Sequence, residues 1–228
     1  IATADAILGR FFADLDRRGL WDDSLVILLS DHGEGLGDHG EEEHGVLLYR
    51  EALHVPMIVK LPRKRLAGRR VSAPAQLIDV LPTVISAVGA KVPDGLPGVS
   101  LIDLAEGRAS AARTVYSETL YPRIHLGWSE LRSLTDLRHH YIESPSPELF
   151  DVAADPRETR NLRDEQRRES FAMARQLSGV PLNLVSPGAA YPEEKARLAA
   201  LGYLSGGAAT GDGPLRNPID HIQVLDRI

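Results

Sequence analysis

The residues best suited to chemistry are gathered in one run, Ser30-Asp31-His32-Gly33-Glu34-Gly35-Leu36-Gly37-Asp38-His39-Gly40-Glu41-Glu42-Glu43-His44-Gly45. Asp31 offers a hard carboxylate oxygen and His32 an imidazole nitrogen, a pair that suits a divalent cation. Neighbours on a continuing strand point to opposite sides, so the two can share one ion only where the chain turns. Gly33 permits that turn. His39 and His44 are further candidates for ligand, proton donor or anion contact. Asp38 reads either as a capping residue or as the acceptor that orients an imidazole. The Glu41-Glu42-Glu43 run reads as a solvated turn, and a solvated Asp-His-Gly loop without metal is an equally good account of the residue types alone. His54 and the His139-His140 pair lack such neighbours and read as structural or exposed.

Several elements must hold this run in place. Ile7, Leu8, Phe11, Phe12 and Leu15 fall at helical spacing, with Gly19 placed to end the helix. Leu25 to Leu29 is an unbroken apolar run, as expected of a strand buried on both faces of a parallel sheet. It delivers the Asp-His pair to its carboxyl end, where open α/β sheets bind their ligands. A second run spans Val55 to Val59. Asp79 should cap a helix that turns Leu81, Val84, Ile85 and Val88 inward and stops at Gly89. Beyond about Ala90, Thr114 to Ser117, Leu131 to Thr135 and His139 to Ile142 read as short, antiparallel strands, followed by a helix over Arg163 to Leu177. Gly206 to Pro214 has the composition of a linker. Ile219, Ile222, Val224, Leu225 and Ile228 then begin another apolar helical pattern.

With 228 residues, 43% of them hydrophobic and 25% charged, the chain can build one large core or two modest ones. Its net charge of −6 argues against a nucleic-acid partner. Cysteine is absent, which excludes disulfides, thiolate metal sites and a cysteine nucleophile within these residues. No apolar run reaches the length of a membrane span. The start at Ile1-Ala2-Thr3, with neither initiating Met nor signal peptide, reads as the inside of an element and suggests an excised fragment.

Taken in order, the motifs resemble a family. Leu28-Leu29-Ser30-Asp31-His32-Gly33-Glu34, then Leu36-Gly37-Asp38-His39-Gly40, Tyr49-Arg50-Glu51 and His54-Val55-Pro56-Met57-Ile58-Val59 look like the carboxyl-terminal half of a sulfatase of the alkaline phosphatase superfamily. Asp79-Val80-Leu81-Pro82-Thr83, Leu96-Pro97-Gly98-Val99-Ser100-Leu101, Glu148-Leu149-Phe150-Asp151 and Asp155-Pro156-Arg157-Glu158-Thr159-Arg160-Asn161-Leu162 continue the match, to about residue 165. Leu198-Ala199-Ala200-Leu201-Gly202-Tyr203-Leu204 and Asn217-Pro218-Ile219-Asp220-His221-Ile222 are similar to bacterial sulfatase-like proteins that continue into tetratricopeptide repeats. On that view Ile219 to Ile228 opens a repeat and should be poorly ordered without its neighbours. The other account is a terminal helix docked on the lobe.

The resemblance implies an α/β fold: part of an alkaline phosphatase-like sheet with flanking helices over residues 1–110, and a small α+β lobe over 111–178. An extension and linker over 179–214 and a truncated helical segment over 215–228 would follow. It implies a metal-dependent hydrolase of sulfate esters, small-molecule or glycan, in a periplasmic or other extracytoplasmic setting. Asp31 and His32 match the family's metal pair, and His44 a position that contacts the ester's oxygens or donates a proton. Asp38 and His39 would support the ligands. The ion would be calcium by resemblance, although His32 suits manganese or zinc, because calcium prefers all-oxygen shells. The family's formylglycine would lie upstream: no Cys/Ser-x-Pro-x-Arg motif occurs here. This chain alone should then be inactive, and it could associate with another copy or the absent half through exposed surface. The histidine keeps a phosphodiester or phosphonate hydrolase and a phosphoethanolamine transferase in view. A non-catalytic scaffold binding a protein partner through downstream repeats is the reading from a different class.

Overall fold

Helix α1 spans Ala2–Arg17 and ends as its sequence requires. Gly19 takes a φ of 67°, its N–H donates to Asp16 and that of Leu20 to Leu15, both at 2.9 Å, which closes the last carbonyls. The structure, a computed structural model, describes residues 2–182 and 214–227. Two compact units share them: residues 1–31 with 55–113, and residues 32–54 with 114–228.

In the first unit β1 (Val26–Leu29) pairs with β2 (Met57–Lys60), with Val26 opposite Lys60 and Leu29 opposite Met57. The pairing is antiparallel, in a two-stranded sheet, and none of the four β1 residues is buried. This corrects the parallel, doubly covered strand expected from the sequence. An apolar run states that a strand needs cover; it states neither the direction of its partner nor which residues supply the cover.

Helix α3 (Val80–Ala87, following the short α2 at Arg50–Leu53) departs in a second way. Its apolar stripe is open, with Leu81 at 54% and Val88 at 74% exposure, while Pro82 and Thr83 are buried. Asp79 precedes it but does not cap it through its side chain. The carboxylate, fully buried, accepts instead from the backbone of Gln76 (2.9 Å) and Val99 (2.8 Å) and from both terminal nitrogens of Arg113 (2.7 and 3.0 Å). A buried carboxylate needs such partners, and this set ties three separated segments together. The Thr83 hydroxyl donates to the Asp79 carbonyl and accepts from Leu101, the first residue of α4 (Leu101–Glu106).

The second unit follows the sequence closely. Strands β3 (Val115–Thr119), β4 (Leu131–Thr135), β5 (His139–Glu143) and β6 (Glu148–Asp151) form an antiparallel meander in that order. Helix α5 (Arg167–Ser178) lays Met173 and Leu177 on one side, against Leu134, Tyr141 and Leu149. A second cluster joins Leu131, Ile142, Phe150 and Val152 to Val46, Leu47, Leu48 and Tyr49 of the histidine-bearing loop. Each fully buried Leu or Ile there contributes about 1.5–3 kcal/mol, so the loop is anchored by apolar burial at its base. Residues 214–227, with the short helix α6 (Pro218–His221), dock on this cluster through Ile222. That packing is of the kind the terminal-helix account describes. The Leu198 to Leu204 motif and the linker from Gly206 to Gly213 lie outside the described residues. No helix among the described residues is long and apolar enough to cross a membrane.

Candidate functional site

The loop that follows β1 folds back on itself by backbone pairing. Gly33 and Glu34 donate to the carbonyls of Ala52 and Glu51 at 2.8 and 3.1 Å. Gly35, Leu36 and Gly37 donate to Glu43, Glu42 and Glu41 at 2.7, 3.1 and 3.0 Å. Such close packing explains two glycines. A Cβ on Gly33 would lie 1.8 Å from the Glu51 carbonyl oxygen, and one on Gly35 2.1 Å from that of Glu41. Gly33 is therefore needed for close approach rather than for a left-handed turn, since its φ is not positive.

The acidic run is a solvated turn only in part, because Glu42 and Glu43 are exposed while Glu41 is not. Glu41 is buried, and its carboxylate accepts from the backbone of Val46 (2.8 Å) and Leu47 (3.0 Å). Burial pushes its carboxyl group up, and those two backbone donors offset only part of the effect. Thr119 adds a hydroxyl donated to the Gly45 carbonyl. Glu41 to Gly45 is thus an excursion closed at its base, with His44 exposed near its end.

Asp31 closes the first unit's opening segment and His32 begins the second unit; both are exposed. The His32 Nδ1 lies 2.8 Å from the Gly33 carbonyl oxygen. A carbonyl can only accept, so Nδ1 carries the proton and the lone pair of the neutral ring is on Nε2. The His44 ring stacks on His32 with centroids 3.7 Å apart and an interplanar angle of 21°. His44 Nδ1 is 3.3 Å from Glu34 Oε1, a carboxylate that fixes which ring nitrogen donates. Asp31 and His32 are thus an exposed carboxylate and an exposed imidazole at adjacent positions. Among the described residues, no three His, Asp or Glu side chains form a group that could hold a metal ion.

His39, on the same loop, has a different setting. Nδ1 is 2.6 Å from Glu51 Oε1 and Nε2 is 3.2 Å from the Glu158 carbonyl, so both nitrogens face acceptors. Its ring lies on Tyr49 with centroids 3.7 Å apart. Burial pulls the imidazole's pKa down, but the Glu51 carboxylate and the Glu158 carbonyl outweigh it and leave the group above its ordinary value. Glu158, with φ at 54°, is buried. Its carboxylate accepts from Arg50 N at 2.7 Å and faces His140 Nδ1 at 2.6 Å. The Tyr49 hydroxyl donates to Glu148 at 2.6 Å. A cleft lined by Asp38, His39, Tyr49, Glu148 and Arg157 opens beside this group.

The structure therefore brings His32 and His44 together and sets His39 in a separate hydrogen-bonded group. Asp38 accepts from exposed Arg157 at 3.3 Å, so the carboxylates beside the imidazoles are Glu34 and Glu51. His54 is largely exposed; the part of its ring that is covered, and then the charge of Arg50, lower its pKa. His140 is buried against Glu158, and His139 meets Gln166 at 3.1 Å. Glu41, Glu51 and Glu158 escaped the reading of the sequence. The one signal for the last two was their place in the Tyr49-Arg50-Glu51 and Asp155 to Leu162 motifs.

Residues 1–90 match the family model of the sulfatases. The multifunctional alkaline phosphatase superfamily protein PehA of Trinickia caryophylli is 35% identical over 179 residues, which cover 71% of this chain and 34% of that protein. The N-acetylglucosamine-6-O-sulfatase of Bacteroides thetaiotaomicron is 30% identical over 172 residues, 71% of this chain and 30% of that one. The solved phosphonate monoester hydrolase of Agrobacterium radiobacter superposes with a TM-score of 0.63 at 27% identity, covering 78% of this chain and 39% of that chain. The chain spans about a third of the length of these curated relatives. The α/β elements match the alkaline phosphatase-like fold, and the family model together with the relatives supports the sulfatase family within the alkaline phosphatase superfamily.

Proposed function

We propose that this chain supplies one side of the active site of a metal-dependent hydrolase of sulfate esters, with Asp31 and His32 as metal ligands and His44 as the group that meets the ester. The observation that carries the reading is the His32–His44 stack, exposed on a loop whose base is closed by Glu41 and apolar burial. A divalent cation bound there would neutralise the anionic ester and act as a Lewis acid. His32 is held by its Nδ1–H on the Gly33 carbonyl, which orients Nε2 as a ligand atom. His44, turned by Glu34, would touch an ester oxygen and pass a proton to the leaving group. No residue here supplies a Cys/Ser-x-Pro-x-Arg nucleophile, so the chain alone would bind metal without turning over ester.

A second reading replaces sulfur by phosphorus. It is favoured by the imidazole of His32, a ligand better suited to manganese or zinc than to calcium, and by the likeness to a phosphonate monoester hydrolase. Sugar sulfates are the preferred substrate class because the Bacteroides relative is a sulfatase of N-acetylglucosamine.

Titration of residues 1–228 with Mn²⁺ and with Ca²⁺, followed by calorimetry and by NMR of the histidine ring protons, tests the proposal. Weak binding, around the millimolar range, should broaden His32 and His44 in Mn²⁺ and spare His139. Substituting His32→Ala should abolish it. An unchanged titration in His32→Ala would sink the assignment, and tighter binding of calcium than of manganese would remove the second reading.

A further inference from the structure

Residues 214–227 pack onto the histidine loop through a side chain that the site described so far does not use. The Arg216 carbonyl accepts from Ser129 N at 2.9 Å, Asn217 receives the Ile219 N–H at the start of α6, and Pro218 is fully buried. From that foothold Ile222, 5% exposed, enters the cluster formed by Val46, Leu47, Leu48, Tyr49 and Trp128. It also reaches the other side of the excursion. A Cβ added to Gly40 would lie 3.1 Å from Ile222 Cγ2. Gly40 and Val46 are the residues on either side of Glu41 to Gly45, so Ile222 sits where both ends of the His44-bearing excursion meet the core.

We infer that residues 214–227 form a strap and that Ile222 is a positioning residue for the histidine loop, setting where His44 and, through the loop's backbone pairing, His32 are presented. Two further contacts close the excursion, the Glu41 carboxylate on Val46 and Leu47 and the Thr119 hydroxyl on Gly45. Neither touches Gly40. Ile222 approaches Gly40 and shares the apolar cluster with Val46, so its loss removes apolar support from both ends of the excursion, while the backbone bonds of Gly40 to Gly37 and of Glu41 to Asp38 and those of the Glu41 carboxylate remain. The functional consequence rests on the role proposed above for His32 and His44; the strap itself does not.

Amide hydrogen exchange on residues 1–228, compared with Ile222→Ala and Ile222→Val, reads the strap without metal or ester. In Ile222→Ala the amides of Gly40, Glu41, Val46 and Leu47 should exchange at least about tenfold faster, with Leu134 and Tyr141 in β4 and β5 changed by less than about twofold. The His44 ring-proton resonances should shift while those of His139 stay. Ile222→Val, which keeps the branched contact and folds even if the alanine variant does not, should restore the loop amides to within about threefold of the parent. An increase of equal size in the loop and in β4 and β5 would show that Ile222 only fills the core, and would overturn the inference. So would unchanged loop exchange in Ile222→Ala. Intact exchange behaviour with no Mn²⁺ effect on His32 would retain the strap and remove the metal site.

Discussion

His32 and His39 share one loop and one residue type, yet their surroundings give them opposite uses. His39 has both nitrogens on acceptors, a tyrosine on its face and a burial that its partners overcome. It joins the loop to α2 and to the segment around Glu158, and has no nitrogen turned to a substrate. His32 is exposed, carries its proton toward its own neighbour's carbonyl and stacks on a second exposed imidazole. His39 is therefore half-buried and tied to distant segments of the chain, whereas the contacts described for His32 are local to its own loop. The contrast separates the part of the loop that anchors it from the part proposed above to meet the metal and the ester.

The sharpest way to break the anchoring part is Glu158→Ala. It leaves His140 and the Arg50 amide without their carboxylate in a buried setting, and the loss of one partner of a buried pair costs about 3–5 kcal/mol. Urea unfolding should show that loss, with Glu158→Gln keeping part of the stability. A cost under about 1 kcal/mol would mean that the group around His39 is not the anchor described here.

How much of this could be read from the sequence follows the range of the interactions. Strands β3 to β5 and α5 were legible because alternation and helical spacing are local, and they recur in β4, β5 and Met173–Leu177, whereas β6, only four residues long, was not. The end of α1 at Gly19 was legible for the same reason. The antiparallel pairing of β1 with β2 was not, since Leu25 to Leu29 has the same pattern under either direction. Asp79 has the look of an N-cap, and only the distant Arg113 and Val99 turn it into a buried staple. Glu41, Glu51 and Glu158 look like ordinary surface acids until the fold sets backbone amides and imidazoles against them. In the loop, residue types announced His32 and His44 but could not separate them from His39, because the separation lies in partners far along the chain.

A milder change, His39→Gln, tests the same division through pH. The folded pKa of His39 lies above its ordinary 6.5, so its imidazolium stabilises the fold fully below about that pH, and the contribution fades as pH rises through the folded value. The substitution should cost about 1.5–3 kcal/mol at pH 6, the scale of a hydrogen bond to a charged group, and less at pH 8.5. Glu41 and Glu148, whose burial raises their pKa, also make stability depend on pH. They are common to both proteins, and because His39 also lowers the pKa of Glu148, the difference between parent and variant reports His39 together with that coupling. A cost that grows with pH would contradict the assigned protonation.

The smallest expected effect is the most telling about the part proposed to meet the metal and the ester. His44→Gln removes a ring that is exposed, stacked on another exposed ring and bonded to Glu34 at a long 3.3 Å. Such a contact is worth little to the fold, and unfolding should shift by no more than about 0.5 kcal/mol. The loop's base would be untouched, because Glu41, Thr119 and the apolar cluster do not involve the imidazole. If His44→Gln instead cost as much as His39→Gln, the stack would be part of the framework. The same measurement on His32→Ala extends the comparison to the other ring of the stack: stability near that of the parent, with Mn²⁺ binding lost, is the pattern expected of a residue kept for its ligand rather than for its neighbours.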